Sequence, residues 1–421
     1  MTAKDANARA SSAGGEDPRP ATVIGVVGAG TMGSGIAQLA ARAGARTLLH
    51  DPLSEALQRG TQRARDGLAK EAAKGRLDTD EANAAAARLQ PVDALAEMAD
   101  CKLVIEAAPE RLELKHELYA RLAEIVAPEC VLASNTSSLP VTAIASTVPH
   151  PERVVGMHFF NPAPIMRLLE IVAGALSDER SLALADATGV AMGKDTIRAT
   201  DGPGFLVNRC NRPFGLEALR ILQERIADIE TIDRIVRQEG GFRMGPFELM
   251  DLVGIDTGFE ISKSFFEQSF GEPRWRPSPI SARYVAAGLH GRKTGRGYYD
   301  YSHDPYRPPD PDLPIASARP TPGGVLERIV CQVINECAFA LGEGVGTAAD
   351  IDTGMVLGLN YPRGPLAWAD EIGLDHVLAV LGSLCEEYRE ERYRPAPVLR
   401  QLVRAERLGR ANGAGFFAYD S

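Results

Sequence analysis

Val23-Ile24-Gly25-Val26-Val27 is a run of five residues, four of them β-branched, and Gly28-Ala29-Gly30-Thr31-Met32-Gly33 follows it without a gap. Helical periodicity then runs from Met32 to about Ala43, where Gly44 stops it, and a second apolar run, Thr47-Leu48-Leu49-His50, ends on Asp51. A strand with no polar face has to be covered on both sides, so the helix packs on one side of a sheet whose next strand runs parallel to the first. The three glycines have separate tasks in such a unit. Gly28 allows the tight turn, Gly30 lets the backbone approach an anion, and Gly33 lets the helix pack against the strand.

The free N–H groups at the helix start, around Thr31 and Met32, can receive a pyrophosphate. Asp51, 18 residues after Gly33, is placed to accept the two ribose hydroxyls of an adenosine half. A 2′-phosphate would be repelled by that carboxylate, and Pro52-Leu53 supplies no arginine to receive it. The expected cofactor is NAD rather than NADP.

At 421 residues the chain exceeds one ordinary core, and two to three domains are expected. A net charge of −10 argues against nonspecific nucleic-acid binding, which needs a basic surface. The six cysteines (Cys101, Cys130, Cys210, Cys331, Cys337, Cys385) show no metal-ligand spacing and read as reduced, mostly buried residues of a cytoplasmic protein. No apolar run reaches the ~18 residues of a membrane span, and no signal-peptide core begins the chain. Residues 1–20 read as a disordered tail.

From Ser54 to Ala99 the chain reads as a charged helical hairpin, with Asp78-Thr79-Asp80-Glu81 marking a new helix start. Its Arg63, Arg65, Lys70, Lys74 and Arg76 read mostly as a solvated face, or as a basic patch for a phosphate-bearing substrate. Strands are expected at Lys102–Glu106, Val131–Ser134 and Val154–Met157, with helices at Leu112–Ala127 and Val141–Ser146 between them. The alternation is that of a parallel, doubly wound sheet, whose ligands bind at the carboxyl ends of its strands. Those ends carry Ala107 to Glu110, Asn135 to Ser138, and His158. A second apolar run, Leu168–Val172, follows a proline-punctuated turn and holds Glu170. Side by side, the two runs would set a carboxylate against an imidazole, the geometry of an oriented general base.

Gly28–Gly33, Ala107-Ala108-Pro109-Glu110, Ser134 to Pro140, His158-Phe159-Phe160-Asn161-Pro162 and Asp201 to Arg209 together resemble the L-3-hydroxyacyl-CoA dehydrogenase family. The resemblance covers essentially everything after the tail. It implies a Rossmann-type nucleotide domain and NAD-dependent oxidation of a (3S)-3-hydroxyacyl-CoA to the 3-ketoacyl-CoA, as in fatty-acid or aromatic-acid β-oxidation. It further implies that His158 is the base, that Glu170 orients it, that Ser137 and Asn208 hydrogen-bond the reacting oxygen, and that Asn161 supports the site. Glu110 and Lys115 resemble ligands of the nicotinamide ribose, with Asn135, Ser137 and Lys293 as further NAD contacts. Lys74 falls where the family places a lysine for CoA. A serine used nearby in some members is Gly67 here, which leaves the CoA anchor open. Acyl chain length, and whether the acyl group is a dicarboxylate, are not fixed by these motifs.

Beyond Asn208 the pattern is all-α, with helices expected at Pro213–Arg225, Thr231–Glu239 and Pro246–Phe266 and a closing turn at Gly291–Tyr299. Residues 303–324, rich in proline and aspartate, read as a linker. A second copy of the helical segment follows. An offset of 119 residues pairs Arg209 with Arg328, Glu217 with Glu336, Asp233 with Asp352, Gly245-Pro246 with Gly364-Pro365, Asp251 with Asp370 and Asp256 with Asp375. The same offset carries Asn208 to Glu327, so the second copy lacks that residue and reads as structural.

The expected architecture is therefore an α/β Rossmann-type nucleotide domain (21–200) followed by two tandem all-α domains (201–302 and 325–421). The copies are expected to pair as an intrachain pseudo-dimer, with further oligomerisation optional. Two rivals differ in chemistry: a dehydrogenase of free hydroxy or sugar acids, and a catalytically silent NAD-binding relative. Phe159-Phe160 argues against the first, and the intact Ser137, His158, Glu170 and Asn208 argue against the second.

Overall fold

The computed structural model describes residues 19–302 and 318–419. The expected tail as far as residue 18, and the expected linker from residue 303 to 317, lie outside the described residues. The chain forms two compact units that meet in sequence at Thr196 and Ile197.

The first unit is built from β1 (Val23–Val27), α1 (Thr31–Arg42), β2 (Arg46–His50), α2 (Ser54–Ala73), α3 (Thr79–Arg88) and β3 (Leu89–Pro91). It continues through β4 (Leu103–Glu106), α4 (Leu112–Ile125), β5 (Val131–Ser134), α5 (Val141–Ala145), β6 (Val154–Phe159), β7 (Leu168–Ala173) and α6 (Glu179–Ala191), and β8 (Asp195–Thr200) straddles the junction in sequence. The sheet order is β3-β2-β1-β4-β5-β6-β7-β8. Pairing is parallel from β3 through β6 and antiparallel between β6 and β7. The sheet is thus mixed rather than wholly parallel, because the short Asn161–Met166 turn leaves no room for a crossover between β6 and β7. The strands β3 and β8 and the helix α6 did not stand out in the sequence, since β3 is only three residues long and β8 mixes polar with apolar residues.

Local chemistry accounts for the elements that carry the site. β1 and β2 are buried along nearly their whole length, as runs covered on both faces must be. The α2–α3 hairpin turns where expected: the Asp78 carboxylate accepts from Asp80 N and Glu81 N, and Glu81 reaches back to Asp78 N. Strand order reverses between β1 and β4, and the crevice outside their carboxyl ends is where such sheets bind ligands.

The second unit is helical: α7 (Val207–Gln223), α8 (Ile229–Gln238), α9 (Pro246–Val253), α10 (Ile255–Gln268) and α11 (Pro279–Ala286). α12 (Gly324–Gly342), α13 (Ala348–Leu359), α14 (Pro365–Ile372), α15 (Leu374–Tyr388) and α16 (Pro397–Arg404) repeat them in order. Two expectations are corrected. α7 starts at Val207 rather than Pro213, the proline lying buried inside the helix instead of opening it. The expected helix Pro246–Phe266 is two helices, broken at Gly254, whose φ of 103° no side-chain-bearing residue adopts cheaply.

Repetition extends to individual hydrogen bonds. Asp251 accepts from Tyr298 N, Tyr299 N and the Tyr301 hydroxyl, while Asp370 accepts from Phe416 N, Phe417 N and the Tyr419 hydroxyl. The closing turn at Gly291–Tyr299 therefore has a structural function. α7 and α12 pack on each other, and their ion pairs are reciprocal. Arg209 Nε lies 2.9 Å from Glu336, and Arg328 Nε lies 2.6 Å from Glu217, the same pair with the copies exchanged. All six cysteines are free, five of them buried. Among the described residues, no helix is long and apolar enough to cross a membrane.

Candidate active site

The turn after β1 has the shape its glycines require. Gly28 adopts a φ of 101°, and a Cβ there would lie 2.5 Å from the Ala107 carbonyl oxygen. A Cβ on Gly33 would lie 1.8 Å from the Gly28 carbonyl oxygen, so α1 could not pack here with any other residue. At Gly30 an added Cβ would meet nothing within 4 Å, and no side chain caps the start of α1. The turn and the helix N-terminus at Thr31 and Met32 thus leave an open cradle of backbone amides, which fits a pyrophosphate.

Asp51, at the end of β2, is held by two backbone amides: Ala29 N donates to Oδ2 at 2.9 Å and Leu53 N to Oδ1 at 3.0 Å. A carboxylate has about four acceptor positions, so both oxygens keep capacity for ribose hydroxyls. The first of these bonds ties the carboxylate to the glycine turn itself.

The end of β4 carries a second acidic group that sequence alone did not single out. Glu106 is buried and accepts from Lys115 Nζ at 2.6 Å, Ala108 N at 2.7 Å and Ser134 Oγ at 2.7 Å. Glu110 accepts at Oε1 from Thr136 Oγ1 and from the amides of Ser137 and Ser138, and its Oε2 lies 3.3 Å from Lys115 Nζ. Burial pushes the Glu110 carboxyl upward, but the Thr136 hydroxyl, the Lys115 ammonium and the Ser138 and Ser137 donors outweigh it and hold it below the usual range. Lys115 is almost wholly buried, with its ammonium engaged by both glutamates. Its geometry is that of a group which fixes Glu110.

Asn135 and Ser137 follow β5. The Asn135 Oδ1 accepts from Phe159 N at 2.9 Å, which ties this loop to the end of β6, while Ser137 is exposed.

On β6 and β7 the antiparallel register places His158 directly opposite Glu170. His158 Nδ1 lies 2.6 Å from Glu170 Oε2, with side-chain exposures of 8% and 0%. An imidazole whose Nδ1 proton is donated to a carboxylate has its Nε2 lone pair available as a base. The Phe160 ring, 4.8 Å from the imidazole, forms part of its wall. Asn161 is exposed at the start of the β6–β7 turn and precedes a cis proline. Lys194 holds the turn from below, donating to the carbonyls of Ala163 at 2.5 Å and Met166 at 2.7 Å. Nothing near Lys194 in sequence signals that role, because the contact spans about thirty residues.

Lys74 ends α2. With Arg63, Lys70 and Arg76 it lines a groove of about 710 Å³ whose other wall includes Pro162, Pro164 and Ile165, while Arg65 is not among the lining residues. Gly67 lines it too, and a Cβ there would lie 2.1 Å from Gln38 Oε1, so Gln38 fills the place that a larger residue 67 would need. Asn208 and Lys293 belong to the second unit. Asn208 is half-buried near the start of α7, and Lys293 is exposed, its ammonium 2.6 Å from Asp256.

Residues 23–202 match the family described as 3-hydroxyacyl-CoA dehydrogenase, NAD binding domain, and residues 204–301 and 323–419 each match its C-terminal domain. The chain is 37% identical to the 3-hydroxyadipyl-CoA dehydrogenase of Escherichia coli, over 91% of this chain and 98% of that protein. It is 40% identical to a probable 3-hydroxybutyryl-CoA dehydrogenase of Deinococcus radiodurans, over 66% of this chain and 99% of that one. A crystal structure of an Escherichia coli 3-hydroxybutyryl-CoA dehydrogenase superposes with a TM-score of 0.88 at 34% identity, covering 92% of this chain and 99% of that one.

Proposed function

Because this chain belongs to the 3-hydroxyacyl-CoA dehydrogenase family and is an NAD-dependent oxidoreductase of that kind, we propose that His158, oriented by Glu170, is the base of its reaction. The observation that carries the proposal is the buried 2.6 Å contact between the two side chains at the carboxyl end of β6. NAD, when bound, accepts the hydride that leaves C3 of the substrate. The glycine turn, the amides of Thr31 and Met32, and Asp51 hold its adenosine and pyrophosphate portions, and Glu110, fixed by Lys115, holds the nicotinamide ribose. Asn135 orders the loop that carries Ser137.

His158 Nε2 takes the hydroxyl proton as the carbon–hydrogen bond breaks. The Glu170 carboxylate stabilises the imidazolium that forms. Ser137 and Asn208 donate to the oxygen as negative charge gathers on it. Phe160 keeps the imidazole out of bulk water, and Asn161 with Lys194 sets the course of the turn beside it. Lys74, with Arg63, Lys70 and Arg76, attracts the phosphates of CoA. The setting is β-oxidation of fatty or aromatic acids in the cytoplasm.

The domain division proposed is a nucleotide domain at 21–200 and helical domains at 201–302 and 325–421. The second helical copy serves as a partner subunit carried in the same chain, and the reciprocal Arg209–Glu336 and Arg328–Glu217 pairs support this reading. Lacking Asn208, it contributes no second active site.

The test is turnover of (3S)-3-hydroxybutyryl-CoA and of free 3-hydroxybutyrate with NAD, in the unmodified protein and in His158→Gln. Only the CoA ester should be oxidised, and His158→Gln should lose at least ~100-fold in kcat, the lower end for general acid–base catalysis, with NAD affinity nearly unchanged. Near-normal turnover by the variant would remove His158 from the mechanism.

A further inference from the structure

Within the helical unit, α7, α9 and α10 enclose a cavity of about 100 Å³, lined in part by Arg212, Gly215, Leu249, Met250, Gly258 and Ser262. Its walls are mostly apolar, yet Arg212 lines it without an acidic partner. The Arg212 Nε lies 3.4 Å from the backbone oxygen of Asn208 and Nη1 lies 3.4 Å from Ser262 Oγ, both at the long end for hydrogen bonds. The guanidinium also sits 5.3 Å from the centre of the Phe265 ring. Among the described residues, no carboxylate lies within the 4.0 Å of an ion pair. Burial pushes the group down to about 10, which leaves it charged at neutral pH. Elsewhere in this unit the interior arginines are matched: Arg209 and Arg274 meet Glu336, and Arg328 meets Glu217. The Arg212 side chain is half-buried, and a cation drawn out of water without an anion is costly.

The tandem copy supplies an internal comparison. The offset of 119 residues that aligns the helices carries Arg212 to Cys331, Ser262 to Leu381, Gly215 to Ile334 and Gly258 to Val377. All four of those counterparts are fully buried hydrophobes. In the first copy the two glycines leave room; a Cβ on Gly258 would meet nothing within 4 Å. The fold thus closes this place with apolar side chains where it only has to be stable. In the copy that carries Asn208, it is hollow and holds a cation.

We infer that this cavity receives the far end of the acyl chain and that Arg212 binds a terminal carboxylate there, making the enzyme selective for 3-hydroxyacyl-CoA esters of short dicarboxylic acids. The inference rests on the dehydrogenase reading above, which places Asn208 at the reacting oxygen. Arg212 follows Asn208 by one turn of α7, a rise of about 6 Å. In a six-carbon acyl group the terminal carboxylate lies three carbon–carbon bonds beyond C3, roughly 4 Å away. The remaining distance is within the length of an arginine side chain. A methyl-terminated chain of the same length would bury the guanidinium without satisfying it.

The test compares kcat/KM for 3-hydroxyadipyl-CoA and 3-hydroxyhexanoyl-CoA, which share chain length and differ at the terminus. The unmodified enzyme should favour the dicarboxylyl ester by roughly 10- to 100-fold, the range expected of a hydrogen bond to a charged group. Arg212→Leu should abolish or reverse that preference, and Arg212→Lys should keep part of it. Equal use of both esters by the unmodified enzyme, or a parallel loss on both in Arg212→Leu, would overturn the inference and leave the dehydrogenase reading standing. Failure to oxidise any 3-hydroxyacyl-CoA would overturn that reading and the inference with it. If the leucine variant does not fold, the unmodified enzyme's preference and the Arg212→Lys ratio supply the answer.

Discussion

Asp51 illustrates how one side chain sets a preference through two effects that act together. Its oxygens are fixed by Ala29 N and Leu53 N, so the carboxylate cannot turn away from whatever occupies the glycine turn. Two ribose hydroxyls satisfy it, whereas a 2′-phosphate at the same place meets like charge. Asp51→Ala should therefore weaken NAD and relieve the repulsion of NADP at once, narrowing the ratio of their catalytic efficiencies by at least about tenfold if each effect is on the order of 1 kcal/mol. Steady-state kinetics with both cofactors checks this. Equal efficiency with both in the unmodified protein would show that Asp51 is not the discriminating group. Glu110 shows the complementary case, where the supporting residue is invisible without the fold: Lys115 is five residues along the chain, but only the structure shows Glu106 sharing its ammonium.

Between elements, the segment before α11 is joined to the segment before α16 by a charged cluster. Glu272 receives both Arg394 nitrogens, at 3.1 and 3.0 Å, and lies 3.1 Å from Arg274 Nε. Burial pushes the Glu272 carboxyl upward, but the Arg394 hydrogen bonds and then Arg274 hold it down to about 2. A carboxyl whose pKa is lower in the folded state stabilises the fold above its unfolded value near 4.3, and that contribution disappears as the pH falls toward 2. Because the pair is partly solvated, its worth is discounted to about 1–2 kcal/mol. Glu272→Gln should accordingly lose about that much stability at pH 7, with the difference from the unmodified protein vanishing as the pH approaches 2. Denaturant unfolding at several pH values measures it, and a difference independent of pH would show that the charge is not responsible. The buried Arg209 and Arg328 pairs differ in kind. Their desolvation largely offsets their attraction, so they serve mainly to decide which faces of α7 and α12 meet, and leaving one partner alone would cost about 3–5 kcal/mol.

For the whole molecule, the duplication puts into one chain the two copies that the proposed pseudo-dimer pairs. Carrying both copies in one chain keeps each near the other at an effective concentration on the order of millimolar. α12 is buried along nearly its whole length, and Arg209 and Glu217 of the first copy depend on it. Removing residues 303–421 should therefore expose the face of α7 and yield either an aggregating protein or a dimer that rebuilds the missing contact from a second chain. Light scattering and sedimentation distinguish these outcomes. A truncated protein that stayed monomeric, soluble and fully active would show that the second copy is not a surrogate partner.

The sequence alone determined features that depend on neighbours along the chain. The strand, the glycine turn and the acid at Asp51 lie within 29 residues and obey local geometry, so cofactor type and the start of the fold were legible there. The repeat was legible because a constant offset survives duplication, and the His158–Glu170 pair because two apolar runs flank one short turn. Less was legible wherever backbone conformation competed with pattern. Gly254 split a helix whose periodicity continued through it, and Pro213 sat inside a helix it would ordinarily begin, since packing against α12 outweighs local propensity. Only tertiary structure could show Glu106 behind Glu110, Lys194 beneath the β6–β7 turn, Gln38 against Gly67, and Arg212 in a hollow that the second copy fills. Each is a contact between residues far apart in sequence, and burial, which gives an unpaired charge its meaning, is a property of the assembled core.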